Sequence, residues 1–334
     1  MINSAPLVSV GLFVYNGERF IEQSLRAILN QTFTDFELII SDNASTDRTA
    51  EIVEAFAKRD DRIRYYRSET NIGAGRNAQR VYELATRKYF KWTAVDDLIE
   101  PDLLQRCVAI LESDPGCVLA YARTKEVDEN GIFIRNYVTP AKADSNNPVE
   151  RFREMLLIDH YCYQIYGVMR MSALRQLPPQ GIYVHGDRVL LARMALLGRF
   201  YEIPEPLFIS RRHRGQSVKT LPLRLRQPRF RLTNRCGALP GPEWWDPAKT
   251  GAITFPEFRH LLENFRSIRL APFGGVSKLR CYWLLLAWIT LFHRKLIKDL
   301  LIAGDQALFN LQIVKVGKQI YLGDQPRRKK LFRQ

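Results

Sequence analysis

Apolar and polar positions along the first 130 residues form segments that predict strands and helices in turn. Short continuous apolar runs, typical of strands buried on both faces, occur at 7–14, 36–41, 63–66, 89–95 and 117–122. Between them apolar residues recur at helical spacing, as at Phe20, Ile21, Leu25, Ile28 and Leu29 within 18–30. The alternation predicts an α/β fold with a mostly parallel sheet flanked by helices.

Capping and turn residues mark the ends of the other predicted helices. Ser45 or Thr46 is expected to cap a helix to about residue 57, and Pro101 suits the first turn of one that runs to residue 113. Residues 71–75 open a helix to residue 87, and residues 129–131 are typical of a hairpin turn. Later helices are expected near 149–157, 187–197, 255–267 and 277–303, with a connector at 227–251.

Polar residues follow four of the predicted strands. Tyr15-Asn16 follows the first, Asp42 the second, residues 68–71 the third and Asp96-Asp97 the fourth. Ligands of such sheets bind beyond the carboxyl ends of the strands, so these clusters should meet at one edge. Adjacent carboxylates repel, and a site that keeps both usually gives them a positive partner. A divalent metal that carries a phosphorylated substrate is the first candidate.

Several spaced motifs, in this order, resemble glycosyltransferase family 2. The matching residues lie at 7–18, 28–32, 36–47, 71–77 and 95–102, and the resemblance covers roughly residues 6–215. It implies a GT-A fold, a Rossmann-like α/β domain that binds a nucleotide-sugar and transfers the sugar with inversion. The chain would divide into this catalytic domain, residues 1–215, and a basic, mostly helical extension, residues 216–334.

The resemblance implies a donor site at the polar strand ends. The nucleoside would contact Asp42, whose structural alternative is to cap a helix, while Asn71 begins a glycine loop whose N–H groups can face an anion together with Arg76. Other residues of this set also have structural alternatives. Tyr15 and Asn16 could form a turn into the first helix, Arg76 could be a surface arginine, and His213 could be structural. Tyr166, Gly167 and Arg170 are expected to shape the pocket of the donor sugar. The expected donor-binding residues are Val14, Tyr15, Asn16, Asp42, Asn71, Arg76, Asp97 and His213.

The metal motif of the family is usually Asp-x-Asp with a second Asp after it. Counting back from Pro101 places Asp96 at the metal-binding position and Asp97 after it, with Ala94 where the first carboxylate would stand. Mg²⁺ often takes only one or two carboxylates together with phosphate oxygens and waters, so the site remains feasible, and Mn²⁺ is equally compatible. The alternative is a solvated pair of aspartates that opens a helix.

Asp187 matches the catalytic base of the family, which often stands within a Glu-Asp pair. Gly186 precedes it here, so a single carboxylate is left for the role. An inverting transfer needs one base to accept the proton of the acceptor hydroxyl while that oxygen attacks. The alternative, which does not exclude the first role, is an N-cap aspartate.

The net charge of +15 is concentrated towards the C-terminus. Residues 211–334 contain 25 Lys and Arg but 7 Asp and Glu. The apolar run 281–292 with its basic flanks, and the basic tail 327–330, predict attraction to an anionic membrane surface. Packing on the catalytic domain or on a second subunit is the alternative. The run is too short to cross a bilayer, and no recognition motif supports nucleic-acid binding.

These observations together predict an inverting glycosyltransferase of polysaccharide biosynthesis. It would use a UDP- or dTDP-sugar, with Mg²⁺ or Mn²⁺, and a glycan or lipid-linked glycan acceptor. Five scattered cysteines without a Cys-x-x-Cys motif indicate a reducing, cytoplasmic location, peripheral on the inner face of the cell membrane. Ala94 and Gly186 motivate an alternative, a catalytically impaired nucleotide- or glycan-binding protein. A sugar-phosphate nucleotidyltransferase fits less well, because residues 10–17 lack a glycine-rich loop.

Overall fold

The computed structural model describes residues 6–179, 181–213 and 242–310. In these ranges the chain alternates strands and helices up to residue 113 and becomes mainly helical after residue 212. The strands are β1 (Val8–Val14), β2 (Phe36–Asp42), β3 (Ile63–Arg67), β4 (Tyr89–Ala94), β5 (Leu98–Ile99), β6 (Cys117–Asp128), β7 (Phe133–Tyr137), β8 (Val168–Arg170) and β9 (Arg199–Arg212). The helices are α1 (Ile21–Leu29), α2 (Thr49–Ala57), α3 (Ala74–Leu84), α4 (Leu103–Ser113), α5 (Pro148–Leu157), α6 (Met171–Leu174), α7 (Gly186–Leu197), α8 (Pro242–Trp245), α9 (Pro256–Leu270) and α10 (Gly275–Asn310).

These strands form one sheet in the order β3-β2-β1-β4-β8-β6-β9-β5, with β7 paired to β6 beside this path. The four longest pairings are parallel, and the short pairings of β5, β7 and β8 are antiparallel. In register, Val14 lies beside Asp42 and Phe13 beside Ala94, so β1, β2 and β4 end level with one another. The mostly parallel α/β sheet predicted from the sequence is confirmed.

Helices cover both faces of the parallel strands. On one face α1 buries Ile21 and Leu25 in the same core as Leu12 of β1. On the other face α3 approaches β1 so closely that a Cβ on Gly11 would stand 2.9 Å from Val81. Burial on both faces explains why these strands consist of continuous apolar runs.

The C-terminal helices pack on the part of the chain that contains the sheet. Trp288 of α10 and Ile268 of α9 are buried in the same core as Leu191 of α7. The boundary predicted at residues 215/216 lies outside the described residues and stays a prediction. In the described ranges, none of the helices combines the length and apolar character needed to cross a membrane.

Some element ends differ from the prediction. No side-chain cap precedes α2. Instead Asp47 Oδ1 accepts from the N–H of Thr49 at 3.0 Å, whereas the hydroxyl of Ser45 accepts from the N–H of Asn16 at 2.9 Å. The cap predicted at Ser45 or Thr46 was therefore wrong, because the loop after β1 takes that hydroxyl. The helix predicted at 277–303 is longer and kinks at Phe292.

Two predictions on turns and connectors have mixed outcomes. The hairpin turn at 129–131 is confirmed between β6 and β7, with Gly131 at φ 86°. Of the predicted connector, residues 242–251 contain α8 and a short 3₁₀ turn, Pro247–Lys249. Residues 227–241 of that connector and the basic tail 327–330 lie outside the described residues.

Candidate active site

The two adjacent carboxylates at the end of β4 have different surroundings. Asp97 is buried, and its Oδ1 accepts from the backbone N–H of Arg211 at 3.1 Å. Burial raises the pKa of the Asp97 carboxyl, and the neighbouring charge of Asp96 raises it further. Asp96 is more exposed, and its Oδ2 lies 2.9 Å from Nε2 of His213. Asp97 therefore secures β9 to the end of β4, while Asp96 and His213 present an oxygen and a nitrogen together.

His213 follows β9 and is held by the surrounding side chains. Its ring lies 4.9 Å from that of Phe20, measured between centroids. Arg211 donates from Nε to the carbonyl oxygen of Asp96 at 3.1 Å and from Nη2 to Gln23 Oε1 at 2.7 Å. The 2.9 Å between Asp96 Oδ2 and His213 Nε2 is close to the separation of neighbouring ligands in an octahedron with bonds of about 2.1 Å. The donor pair therefore fits a divalent ion.

Lys91 is a charged residue in the middle of the apolar strand β4, close enough to Asp97 for their charges to interact. Its side chain is fully buried and donates to the carbonyl oxygens of Tyr166 and Trp92. Burial lowers the pKa of the ammonium group to about 8, although the negative charge of Asp97 opposes this shift. Lys91 thus supplies positive charge close to Asp97 and fixes the backbone at Tyr166.

Tyr166 connects the carboxylate pair with the predicted base. Burial raises the pKa of its phenol, and the charges of Asp97, Asp96 and Asp187 raise it further. All three carboxylates therefore lie within electrostatic range of one phenol. Its ring also stacks on Phe208 of β9, with 5.1 Å between the centroids. The charges of the predicted base and of the predicted metal ligand thus both act on the Tyr166 phenol.

Asp187 lies in the first turn of α7 and is partly exposed. Its Oδ1 accepts from the N–H of Arg188 at 2.8 Å, and the thiol of Cys162 hydrogen-bonds to the same carboxylate. The N-terminal end of a helix favours a negative charge. A Cβ on Gly186 would stand 2.4 Å from the carbonyl oxygen of Gly181. Steric space therefore explains why glycine occupies the place where the family often has a second carboxylate.

The residues that were predicted to bind the nucleoside form a second group. Asp42 is fully buried, with Oδ1 accepting from the N–H of Ser45 and Oδ2 from the hydroxyl of Tyr65, both at 2.8 Å. Asn16 has φ 51°, and its Oδ1 accepts from the N–H of Thr46 at 2.8 Å. Asp42 and Asn16 therefore shape the loops around the site.

Two other residues of this group, Val14 and Tyr15, differ in solvent exposure. Val14 is buried, and its carbonyl oxygen accepts from the N–H of Asn43 at 2.9 Å. Tyr15 is 48% exposed, which leaves its side chain open to a ligand. A Cβ on Gly17 would stand 2.9 Å from a methyl group of Val95. The loop after β1 therefore touches the residue directly before Asp96, and the two groups adjoin.

The start of α3 is covered by the C-terminal part of the chain. Asn71 Oδ1 accepts from Asn43 Nδ2 and from the N–H of Gly73, each at 2.9 Å. Gly73 has φ 89°, and a Cβ there would stand 2.7 Å from the carbonyl oxygen of Trp245. Arg76 Nη2 donates to Asp246 Oδ2 at 2.9 Å. A carboxylate of the protein thus already pairs with the arginine that was expected to face the donor phosphates.

Of the residues expected at the donor sugar, Arg170 lies elsewhere. It pairs in register with Tyr89 at the beginning of β4, and its guanidinium donates to the carbonyl oxygen of Leu111 at 2.6 Å. The expectation for Arg170 was wrong, because β8 runs antiparallel to β4 and carries this side chain away from Asp96. Gly167 is required for packing, since a Cβ there would stand 2.5 Å from the carbonyl oxygen of Ala120.

Sequence reasoning missed two residues beside the site. Lys91 interrupts an apolar strand, which is a signal that a sequence can show. Cys162 gives no local signal, because its contact with Asp187 depends on how the 3₁₀ turn Tyr163–Tyr166 meets α7.

Comparison with known proteins identifies the family. A family model of glycosyl transferase family 2 matches residues 9–177. The chain is 30% identical over 134 residues to an uncharacterized glycosyltransferase of Methanocaldococcus jannaschii, which covers 40% of this chain and 46% of that protein. It is also 30% identical over 135 residues to a chondroitin synthase of Escherichia coli, which covers 40% of this chain and 20% of the synthase. The chain thus spans less than half the length of these two relatives.

Among solved structures, residues 1–349 of Staphylococcus aureus TarS in complex with UDP-GlcNAc have a similar fold. The TM-score is 0.55 at 17% identity, over 91% of this chain and 92% of that one. The predicted GT-A fold with a helical C-terminal region is thereby confirmed.

Proposed function

The chain belongs to glycosyl transferase family 2, and we propose that it transfers a sugar, with inversion, from a nucleoside-diphosphate donor to a glycan or lipid-linked glycan acceptor. The observation that carries the proposal is the pair of Asp96 and His213 beyond the end of β4, where Oδ2 and Nε2 lie 2.9 Å apart. Asp187 acts on the same Tyr166 phenol as Asp96. A metal-binding carboxylate and a base on the same side of the sheet are what such a transfer requires.

In this proposal the donor diphosphate lies at Asp96 and His213. These two side chains would hold Mg²⁺ or Mn²⁺, which when bound neutralises the charge that develops on the diphosphate leaving group. Tyr15, whose side chain is exposed, would contact the nucleobase of the donor. Asp97 and Lys91 would hold the strand ends around the donor site. UDP- and dTDP-sugars are the first donors to test, since a protein of the same fold has been solved with UDP-GlcNAc.

Asp187 is the proposed base. One of its oxygens accepts from the N–H of Arg188, so the carboxylate retains acceptor capacity for an incoming hydroxyl. The acceptor oxygen would form the new bond to the anomeric carbon while its proton passes to Asp187 and the nucleoside diphosphate departs. Cys162 would keep the carboxylate oriented during this step.

A cavity beside the loop before Asp187 supports an acceptor that has an apolar portion. Its volume is about 580 Å³, and Ile182, Val184, Trp245 and Phe258 contribute to its walls. Cationic side chains line the same cavity and would attract a phosphate group. They are Lys249, Arg259 and Arg266.

The surface of α10 supports a peripheral position on a membrane. Its outward face carries exposed apolar side chains, among them Val276 at 70% and Trp283 at 64% exposure. Exposed cations on the same helix include Arg280, Arg294 and Lys295. Apolar residues with basic neighbours favour the interface of an anionic bilayer. We therefore propose that the enzyme works at the cytoplasmic face of the cell membrane.

The test of activity is release of nucleoside diphosphate from a panel of UDP-, dTDP- and GDP-sugars with Mn²⁺ and an extract of lipid-linked glycans. Asp187→Asn should bind UDP as the wild type does but transfer about 10²- to 10⁴-fold more slowly. Asp61→Asn, at an exposed position before β3, is the matched control. Donor binding without turnover in the wild type would instead support the binding-protein alternative, which the missing carboxylates at Ala94 and Gly186 favour.

The membrane proposal is tested separately by flotation with vesicles. Binding should require anionic lipid, should weaken as salt rises and should fall when Trp283 and Leu279 are both changed to Ser. Equal binding to neutral vesicles, or no response to salt, would contradict the electrostatic part of the proposal.

A further inference from the structure

A cluster of two histidines and one glutamate lies outside the proposed donor site. His185 precedes α7, and Glu257 and His260 belong to the first turns of α9. His185 Nε2 lies 3.3 Å from Glu257 Oε1, and the two imidazole rings are 5.2 Å apart between centroids. One ligand atom from each of the three residues lies within 4.8 Å of the others. Among the described residues, this is the one group of three or more His, Cys, Asp or Glu side chains close enough together to hold a metal ion.

The backbone and the neighbouring side chains orient all three residues. His185 has φ 71°, a left-handed conformation that is uncommon outside glycine, and its ring contacts Glu257 of α9. Glu257 and His260 are three residues apart and therefore share one face of α9. The N–H of Glu257 donates to Asp299 Oδ2 at 2.9 Å, and the His260 ring packs edge-on against Trp288. These contacts thus orient the three side chains so that their ligand atoms face one another.

The cluster is sheltered from solvent but not sealed. His260 is 7% exposed, and the side chains of His185 and Glu257 are 17% and 12% exposed. A carboxylate in such a place requires a positive partner, which a divalent cation or a proton on His185 supplies. Arg188 and Lys295 also lie within electrostatic range of the cluster.

We propose that His185, Glu257 and His260 bind a divalent transition-metal ion, with Zn²⁺ favoured, that fastens α9 to the start of α7. Two imidazoles and one carboxylate form a donor set that Zn²⁺ takes in proteins, with a fourth position left for water. Ligands of a tetrahedral Zn²⁺ stand roughly 3.3 Å apart, from bonds of about 2.0 Å. Here His185 Nε2 and Glu257 Oε1 are 3.3 Å apart and all three ligand atoms lie within 4.8 Å of one another, so small side-chain rotations close the site.

This site has a consequence for the helix that carries Asp187. His185 stands two residues before Asp187, so an ion at this site would stiffen the turn from which the proposed base projects. It shares no residue with Asp96 and His213, and its imidazoles favour a softer metal than the oxygen-rich surroundings of a diphosphate. The two sites should therefore fill independently.

The experiment is a Zn²⁺ titration of the full chain, freed of any affinity tag and of metal, followed by calorimetry and by metal analysis after dialysis. The wild type should retain one Zn²⁺ per chain and gain thermal stability when it binds. His185→Asn, a residue that tolerates positive φ, and His260→Gln should each weaken binding on the order of tenfold or more. His293→Gln, at an exposed position on α10, and Asp96→Asn should bind Zn²⁺ at the cluster as the wild type does.

Co²⁺ gives an independent test on the wild type alone. Its visible spectrum should show the intense bands of four-coordinate Co²⁺, and Zn²⁺ should displace them. Failure of the wild type to retain Zn²⁺, or retention that His185→Asn and His260→Gln both leave unchanged, would overturn the proposal. A hydrogen-bonded His185–Glu257 pair would then be what the cluster provides.

Discussion

His213 Nε2 lies 2.9 Å from Asp96 Oδ2, although 117 residues separate the two along the chain. Strand β9 brings the two residues together. It pairs with β5 directly after the carboxylates, and the Arg211 guanidinium lies against the carbonyl oxygen of Asp96. The pair offers a carboxylate oxygen and an imidazole nitrogen where the sequence offered a single candidate carboxylate. We therefore propose that His213 replaces part of the coordination that Ala94 does not provide.

Replacement of His213 should accordingly weaken donor binding in a metal-dependent way. We expect His213→Ala to lower the affinity for UDP in Mn²⁺ on the order of 10- to 100-fold, and to have much less effect in the presence of a chelator. Calorimetric titration of UDP under both conditions measures this difference. His293→Ala is the control. A loss of the same size with and without metal would point to a structural role against Phe20 instead.

The ion pair between Arg76 and Asp246 leads to a second prediction, on access to the donor phosphates. Arg76 is half exposed, whereas Asp246 is almost fully buried at the covered start of α3. Asp246→Asn should free the guanidinium and raise UDP affinity by up to about fivefold, because an ion pair with a half-exposed arginine contributes up to about 1 kcal/mol. Arg76→Gln should lower it.

Titration of UDP against both variants distinguishes two roles of this pair. If Asp246→Asn and Arg76→Gln change UDP affinity equally, the pair serves only to hold α8 on α3. Limited proteolysis of the 242–249 segment provides the structural readout, and Lys249→Gln, which removes a more distant partner of Asp246, is the control.

Glu126 on β6 makes the stability of the protein depend on pH. Although burial opposes the shift, hydrogen bonds from Arg212, Arg135 and Tyr163 lower the pKa of its carboxyl from 4.5 to about 2. A carboxyl with a lowered pKa in the folded state stabilises fully above its unfolded value, and this contribution disappears as the pH falls through the folded value. The wild type should therefore lose stability as the pH falls from 4.5 towards 2.

Chemical unfolding of Glu126→Gln across this pH range tests the point. At pH 7 the variant should be less stable by about 1–3 kcal/mol, and its stability should depend less on pH below 4.5. Glu69→Gln, at an exposed position, should keep the wild-type dependence. If the free energy of unfolding depends on pH in the same way in the wild type and in Glu126→Gln, Glu126 is not the source of this dependence.

Local pattern predicted the parallel strands well, because a strand buried on both faces is mainly apolar, as β1 and β2 are. It also predicted Asp96 at the end of β4, where the sheet opens to ligands. Contacts between distant segments were beyond its reach. Arg76 meets Asp246 and Cys162 meets Asp187 only after α8 and the 3₁₀ turn have docked. The antiparallel direction of β8, which turns Arg170 away, is likewise set by tertiary packing.

The attachment of α9 to α7 depends on a buried ion pair. Arg193 Nη2 donates to Glu263 Oε2 at 2.6 Å, and Nε donates to Ser267 Oγ at 2.8 Å. The side chains of Arg193 and Glu263 are 4% and 10% exposed. Removal of one partner leaves the other charge buried, which costs about 3–5 kcal/mol. Glu263→Gln should therefore reduce stability to unfolding in urea by this amount.

A double-mutant cycle separates the cost of an unpaired charge from the worth of the pair. Glu263→Leu combined with Arg193→Met should be more stable than either single variant, because both buried charges are removed together. Arg266→Gln removes a half-exposed partner of Glu263 and should cost less than about 1 kcal/mol. Because α7 carries Asp187, the single variants should also lose transfer activity at temperatures where α9 detaches, and the double variant should regain it. Additive single effects would mean that Arg193 and Glu263 stabilise the interface through separate contacts.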